Sequence, residues 1–223
     1  MLNKIGKEID LLSKYPKSKR DVSKRGKSKT IDQQNLARKF GKDFFDGDRD
    51  NGYGGYHYNE KFWKNVIPDF IKYYNLKDGD RILDIGCGKG FMLFDFMKAN
   101  PKFVIEGIDI SKYAIDNCKP EVKKFIKLGD AKKLNYDNNS FDLVISITTI
   151  HNLDFDECKK SLQEIERVSK KHKFITVDAF SNDTEKELMY AWNLTAKTIL
   201  HTEKWKELFL ETGYTGDYYW FKP

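Results

Sequence analysis

The sequence predicts an α/β fold built on a doubly wound, mostly parallel sheet. Three observations predict it. The run Arg81-Ile82-Leu83-Asp84-Ile85 is apolar and β-branched, breaks into Gly86, Gly88 and Gly90, and gives way to a helix-compatible stretch over 91–97. That is strand, tight turn and helix in succession. Strand-like runs alternate with helical spacing along most of the chain, the order that a parallel sheet requires. The run Phe141-Asp142-Leu143-Val144-Ile145-Ser146-Ile147 is nearly continuous in apolar residues, as a strand covered on both faces should be.

Residues 1–30 hold ten Lys or Arg against three acids, so the net charge of +6 belongs to this arm and the rest of the chain is near neutral. Ile5, Ile9 and Leu12 have helical spacing, and an extended Lys/Ser/Arg run follows that orders only on docking. Such an arm suits nucleic acid or an anionic surface, although a solvated tail is the simpler expectation. Thr30 is placed to cap a helix to about Phe40. Residues 1–43 thus read as a basic arm and helix, and 44–223 as the main domain. Within that domain, 44–63 interleave glycines with tyrosines beside acids and Arg49. This segment is expected to close over the site as a lid, with glycines for motion and tyrosine rings for contact area. Tyr53, Tyr56 and Tyr58 are its candidate substrate contacts, and His57 is a candidate catalytic group. Asp46, Asp48, Asp50 and His57 lack the spacing of a calcium loop, and no metal site is expected.

Phe62, Trp63, Val66, Ile67, Phe70, Ile71 and Tyr74 recur at helical spacing, so a helix over 62–74 packs on the sheet. After the turn at 77–80 and the first strand, a second strand is expected over 103–109 and a helix over 111–118. A third strand follows at 124–128, a turn at 137–140, the strand at 141–147, a helix over 156–170 and a fifth strand at 173–179. Two more helices are read at 184–200 and 202–212, the latter stopped by Gly213. Only one comfortable strand, 217–221, is left, so the sheet is expected to be six-stranded or truncated. Its aromatic edge needs a cover, and a second copy of the chain, giving a homodimer, is one candidate.

The glycines at 86, 88 and 90 suit positive φ and let the backbone approach a ligand closely. The helix start beyond them offers free N–H groups. Asp109 lies nineteen residues after Gly90, at the tip of the second strand, where a carboxylate can accept both hydroxyls of a ribose. Leu128-Gly129-Asp130-Ala131 follows the third strand. In this order the three segments resemble motifs I, II and III of the class I S-adenosylmethionine-dependent methyltransferases, over roughly residues 69–180. The resemblance implies a Rossmann-like fold and S-adenosyl-L-methionine as cofactor. It implies that Asp84, Gly86, Cys87, Gly88 and Gly90 hold the methionine end and Asp109 the ribose. Ile110 would pack on adenine, Asp130 and Ala131 would meet its edge, and Ser146, late in the fourth strand, joins the cofactor set. Lys89 departs from the small or hydroxyl residue commoner at its place. The whole chain, including Gly52-Tyr53-Gly54-Gly55-Tyr56-His57-Tyr58, is also similar to uncharacterised methyltransferases associated with polysaccharide biosynthesis.

The acceptor end should lie beyond the fourth and fifth strands. The Asn/Asp-Pro-Pro-Tyr of enzymes that methylate adenine or glutamine nitrogens is missing there. His151 in that loop is the first candidate for general base, because histidine titrates near working pH. Asp178, at the end of the fifth strand, is a second candidate. Trp192 and His201 are candidates for the acceptor pocket. The expected function is methyl transfer to an oxygen or nitrogen of a small polar, sugar-like acceptor. The rivals are an RNA or protein methyltransferase docked by the basic arm, and a non-catalytic cofactor-binding subunit of a partner. Three cysteines with no CxxC pair, no leader-like N-terminus and no apolar run of membrane length point to a cytoplasmic protein.

Overall fold

The computed structural model describes residues 4–16 and 29–222. Seven strands form one sheet: β1 (Arg81–Ile85), β2 (Val104–Asp109), β3 (Ile126–Leu128), β4 (Phe141–Ile147), β5 (Ser169–Phe180), β6 (Leu200–His201) and β7 (Asp217–Phe221). The order is β3-β2-β1-β4-β5-β6, with β7 also on β5, and every strand pair is parallel. β1 and β4 are neighbours although the chain visits β2 and β3 between them. The winding reverses there, and the carboxyl ends of the strands open a crevice at such a reversal.

Among the described residues, eight α-helices flank the sheet or lead into it: α1 (Ile31–Ala37), α2 (Lys42–Asp46), α3 (Ile67–Tyr74), α4 (Phe91–Ala99), α5 (Lys112–Asp116), α6 (Phe155–Val168), α7 (Asp183–Trp192) and α8 (Thr202–Thr212). Strand alternation splits the core into two layers. Ile82, Leu143 and Phe174 pack with α3 and α4 on one face. Their chain neighbours Leu83, Val144 and Ile175 pack with α6 and α8 on the other. Local signals set the helix ends. Thr30 and Gln33 form a capping box at α1, Asp154 and Glu157 form another at α6, and Gly213 ends α8 in the left-handed region at φ 71°.

The structure departs from the sequence expectations in four places. The helix expected over 62–74 begins at Ile67, because Pro68 favours a first turn. The helix expected over 184–200 stops at Trp192. There the Asn193 side chain turns back, its amide donating to Asp178 and its Oδ1 accepting from the Ala196 N–H at 2.5 Å. The freed residues reach β6, so the sheet has seven strands, one of them only two residues long. The spacing at 5–12 makes no helix. Instead the Ile9 N–H donates to the Tyr218 carbonyl at 2.9 Å, and the Tyr218 N–H to the Lys7 carbonyl at 3.0 Å. Leu11 is buried in the core. The chain's own arm therefore covers the aromatic edge of β7, which removes that reason for a second subunit. The Lys/Ser/Arg run at 17–28 lies outside the described residues.

Removing residues 1–12 should bare the backbone of Tyr218 and the pocket filled by Leu11. We expect a lower melting temperature and new self-association by light scattering. An unchanged melting temperature in a monomeric protein would show that the edge needs no cover.

Candidate functional site

β1 delivers Asp84 and the glycine loop to the crevice. Gly86, Gly88 and Gly90 all have positive φ, at 77°, 55° and 73°. A Cβ at Gly86 would collide with the Thr149 side chain, so this position also needs the missing side chain for space. β2 ends in Asp109, which is 8% exposed. Its Oδ2 accepts the Gly88 N–H and its Oδ1 the Ser111 N–H, each at 2.7 Å. Burial pushes this carboxyl up against the pull of those two bonds. Asp84 is buried too, and its carboxylate has no hydrogen-bond partner among the described residues. Burial, with Asp109 pushing the same way, raises it to about 7. An uncompensated buried acid calls for a cation or donor from a ligand. The methionyl ammonium of S-adenosylmethionine is such a group. Asp84 beside a glycine cradle, with the Asp109 carboxylate at the next strand tip, fits the donor.

These residues line a cavity of about 620 Å³. Ile110, Asp130 and Ala131 line it beside Asp109, and Cys87 lines it with Gly86 and Gly88. His151, Asp178 and Trp192 line it too, so donor end and acceptor end share one space. Tyr53 and Tyr56, with Phe44 and Phe45, belong to the wall supplied by the N-terminal segment. Five expected site residues do not line it. Gly90 starts α4 behind the loop. Ser146 is fully buried within β4. His57 is exposed. The Tyr58 hydroxyl donates to Asp95 Oδ1 at 2.8 Å. His201 caps α8, its Nδ1 accepting the Glu203 N–H at 3.2 Å.

Lys89 ties the N-terminal segment to the glycine loop. Its ammonium, on a residue 4% exposed, donates to both oxygens of Asp46 at 2.8 and 2.6 Å. The Tyr113 hydroxyl and the Tyr56 N–H donate to the same carboxylate at 2.7 and 3.0 Å. Burial works to raise this carboxyl, but the Lys89 ammonium and the two other donors outweigh it and hold it at about 2. Above this latch, Tyr56 packs against Tyr53 and stacks on Phe91 at centroid distances of 4.4 and 4.9 Å. Arg49 donates to the Gly52 and Tyr53 carbonyls, each at 2.8 Å. The departure at position 89 thus has a partner that sequence spacing alone does not reveal.

At the other end, the 3₁₀ turn Ile150–Asn152 places His151 against β5. Its Nδ1 accepts the backbone N–H of Asp178 at 3.0 Å. In the neutral ring the proton therefore resides on Nε2. Burial drives the imidazole down to about 3 and the Asp178 carboxyl up to about 8. The gap of 3.6 Å between His151 Nδ1 and Asp178 Oδ1 is too long for a hydrogen bond. Asp178 instead accepts from the Asn193 amide. Asn193 was missed in the sequence, where it lies inside a helical pattern. Its Asn identity two residues before Thr195 was the only signal of a turn.

A family described as a methyltransferase domain matches residues 76–213. The ribosomal RNA small subunit methyltransferase C of Buchnera aphidicola subsp. Schizaphis graminum is 28% identical over 147 residues, covering 54% of this chain and 44% of that protein. The demethylmenaquinone methyltransferase of Symbiobacterium thermophilum is 27% identical over 152 residues, covering 64% of this chain and 59% of that protein. The chain spans about half the length of the curated relatives it matches. Among solved structures, YcgJ of Bacillus subtilis aligns with a TM-score of 0.54 at 18% identity, over 66% of each chain. The cyclase SpnF aligns with a TM-score of 0.55 at 20% identity, over 67% of this chain and 56% of that one. These likenesses establish the fold, and a cyclase among them means that the fold alone does not set the reaction. The family match spans more than half of the chain, over the glycine loop, both strand-tip acids and β5, and the chain belongs to the class I S-adenosylmethionine-dependent methyltransferases.

Proposed function

We propose that the protein is a cytoplasmic enzyme that methylates an oxygen or nitrogen of a small, polar, sugar-like acceptor. One cavity that joins the donor end to a buried His–Asp pair supports this reading. At about 620 Å³ it has the size of a small-molecule site. Asn152 lines it with an amide oxygen that has no partner among the described residues, and Trp192 adds an aromatic face. Such a lining suits a hydroxyl-bearing ligand.

Bound S-adenosylmethionine supplies a methyl group on a positively charged sulfur, which leaves as a neutral thioether without further activation. The chain then has to hold the acceptor in line and take its proton. We assign the proton to Asp178. Its carboxyl, pushed up to about 8, has the affinity of a working base near neutral pH. His151 is held neutral with Nε2–H as a donor, so it orients the acceptor rather than deprotonating it. Asn193 and the Trp205 indole N–H, which donates to the Asp178 carbonyl at 3.0 Å, hold Asp178 in place. The N-terminal segment closes over the site as a lid, latched by Asp46 and Lys89.

An RNA or protein acceptor docked by the basic arm is a second reading. It draws support from relatives named as a ribosomal RNA methyltransferase and a ribosomal protein L11 methyltransferase. A steep loss of acceptor binding with salt is its mark.

Asp109→Ala should weaken binding of the cofactor by ~1–3 kcal/mol through lost charged hydrogen bonds; unaltered affinity by calorimetry contradicts the ribose assignment. Only the ionised Asp178 accepts a proton, so turnover should rise with pH through about 8. Asp178→Asn should lower turnover by ~10²–10⁴-fold and remove that rising limb while cofactor affinity stays. A fully active Asp178→Asn enzyme would move the base elsewhere. Asp46→Asn should speed dissociation of S-adenosylhomocysteine in stopped-flow fluorescence, and an unchanged rate would deny the latch.

A further inference from the structure

Residues 4–16 run as a strap from the β7 edge of the sheet to the cavity. At the edge the strap extends the ladder. Glu8 bridges Tyr218 in parallel, through the Ile9 and Tyr218 N–H groups, and the Lys7 N–H donates to Asp217 Oδ1 at 2.7 Å. Gly6 lies on the backbone of Gly216, where a Cβ would stand 2.2 Å from the carbonyl oxygen, so only glycine admits this approach. Leu11 then enters the core. The Leu12 N–H turns back to Asp10 Oδ1 at 3.0 Å, and Lys14 pairs with Asp69 of α3 at 2.7 Å.

The far end of the strap meets the donor site. Leu12 and Tyr15 line the cavity together with Trp63 and Tyr56. The Tyr15 ring meets Trp63 edge to face at 4.9 Å and lies 5.2 Å from Phe62. Tyr56 in turn lies over the glycine loop, its ring 3.5 Å from where a Cβ on Gly88 would stand. Burial pushes the Tyr56 hydroxyl up, and Tyr53, Tyr15, Asp84 and Asp109 add to the push. Tyr15 and the two strand-tip acids are thus within electrostatic reach of one phenol. Asp84, with no hydrogen-bond partner among the described residues, marks this as the end where the methionyl ammonium would sit.

We propose that the strap is part of the donor-binding site: Leu12 and Tyr15 cover the methionine chain of bound S-adenosylmethionine, and through that contact strap pairing on β7 and donor binding reinforce one another. The inference rests on the crevice being the seat of the donor. Methylene groups gain from apolar cover, and an aromatic face favours a nearby ammonium. A terminal segment is poorly ordered unless it is tied down, and ordering it costs conformational entropy. Contacts with the ligand offset part of that cost only while the strap is docked, so each event favours the other by the same factor. The β7 edge and the donor cavity, at opposite ends of the strap, are linked through it.

Hydrogen exchange of the full chain is the test. Saturating S-adenosylhomocysteine should slow exchange of the Ile9 and Tyr218 amides about fivefold or more, although neither residue lines the cavity. Tyr15→Ala should bind the ligand more weakly and, once saturated, lose this slowing, which a general gain in stability would leave in place. Gly6→Val acts at the β7 end alone, and calorimetry should show the ligand weakened about fivefold or more. Unchanged Ile9 exchange at saturation, or slowing that survives in Tyr15→Ala, overturns the proposal, as does a Gly6→Val chain that binds as tightly as the unmodified one. The exchange comparison in the unmodified chain decides the matter even where Gly6→Val fails to fold. Failure of S-adenosylhomocysteine to bind the unmodified chain would instead strike the donor seat itself, and this inference with it.

Discussion

One carboxylate at the tip of β2 joins the two halves of the donor site. Asp109 takes the Gly88 N–H on one oxygen and the Ser111 N–H on the other, so a single side chain fixes both the glycine loop after β1 and the start of α5. This is possible only because the winding reverses between β1 and β4, which leaves the strand tips uncovered. It also depends on Gly88 taking a positive φ, which turns its N–H toward Asp109. Holding this acid in place buries it, and Asp84 beside it is buried with no hydrogen-bond partner among the described residues. Two adjacent buried carboxyls destabilise one another. A ligand that brings a cation and hydroxyl groups would relieve both, and on that ground we propose this crevice as the seat of the methyl donor.

The 44–63 segment and the arm are each fixed by few contacts. Lys89 belongs to the glycine loop and Asp46 to the N-terminal segment, so the two are coupled through one largely buried ion pair. A buried pair of this kind is strongly destabilised if one member is removed. The described part of the arm lies along β7 and lends Leu11 to the core, although its composition suggests a solvated tail.

Much of this was legible in the sequence, for definite reasons. The strand at 141–147, the helix at 202–212 and the strand at 217–221 were read with the bounds they have, because buried apolar runs and a terminal glycine are local signals. The glycine loop and Asp109 were legible because their chemistry is carried by residue type at fixed spacing. What escaped depends on distant partners. Nothing near Lys89 points to Asp46, which lies 43 residues earlier. Asn193 breaks a helical pattern only because Asp178 is there to receive its amide. The pairing of residues 7–9 with Tyr218 overrides a weak helical spacing, since an open strand edge outbids marginal propensity. The proposed preference for Asp178 over His151 as base turns on the Asp178 backbone N–H that His151 Nδ1 accepts, which no side-chain pattern encodes.

We propose that Asp84 and Asp109, a cramped pair of acids in the free protein, form the seat for S-adenosylmethionine. Calorimetry of S-adenosylhomocysteine binding near pH 7, in two buffers of different ionisation enthalpy, tests it most directly. The ligand's ammonium should drive the Asp84 carboxyl, held at about 7 in the free protein, to its ionised form. Binding heats should differ between the buffers and report proton release, with the release lost in Asp84→Asn. No binding heat in either buffer, or binding with no proton exchanged, would contradict it.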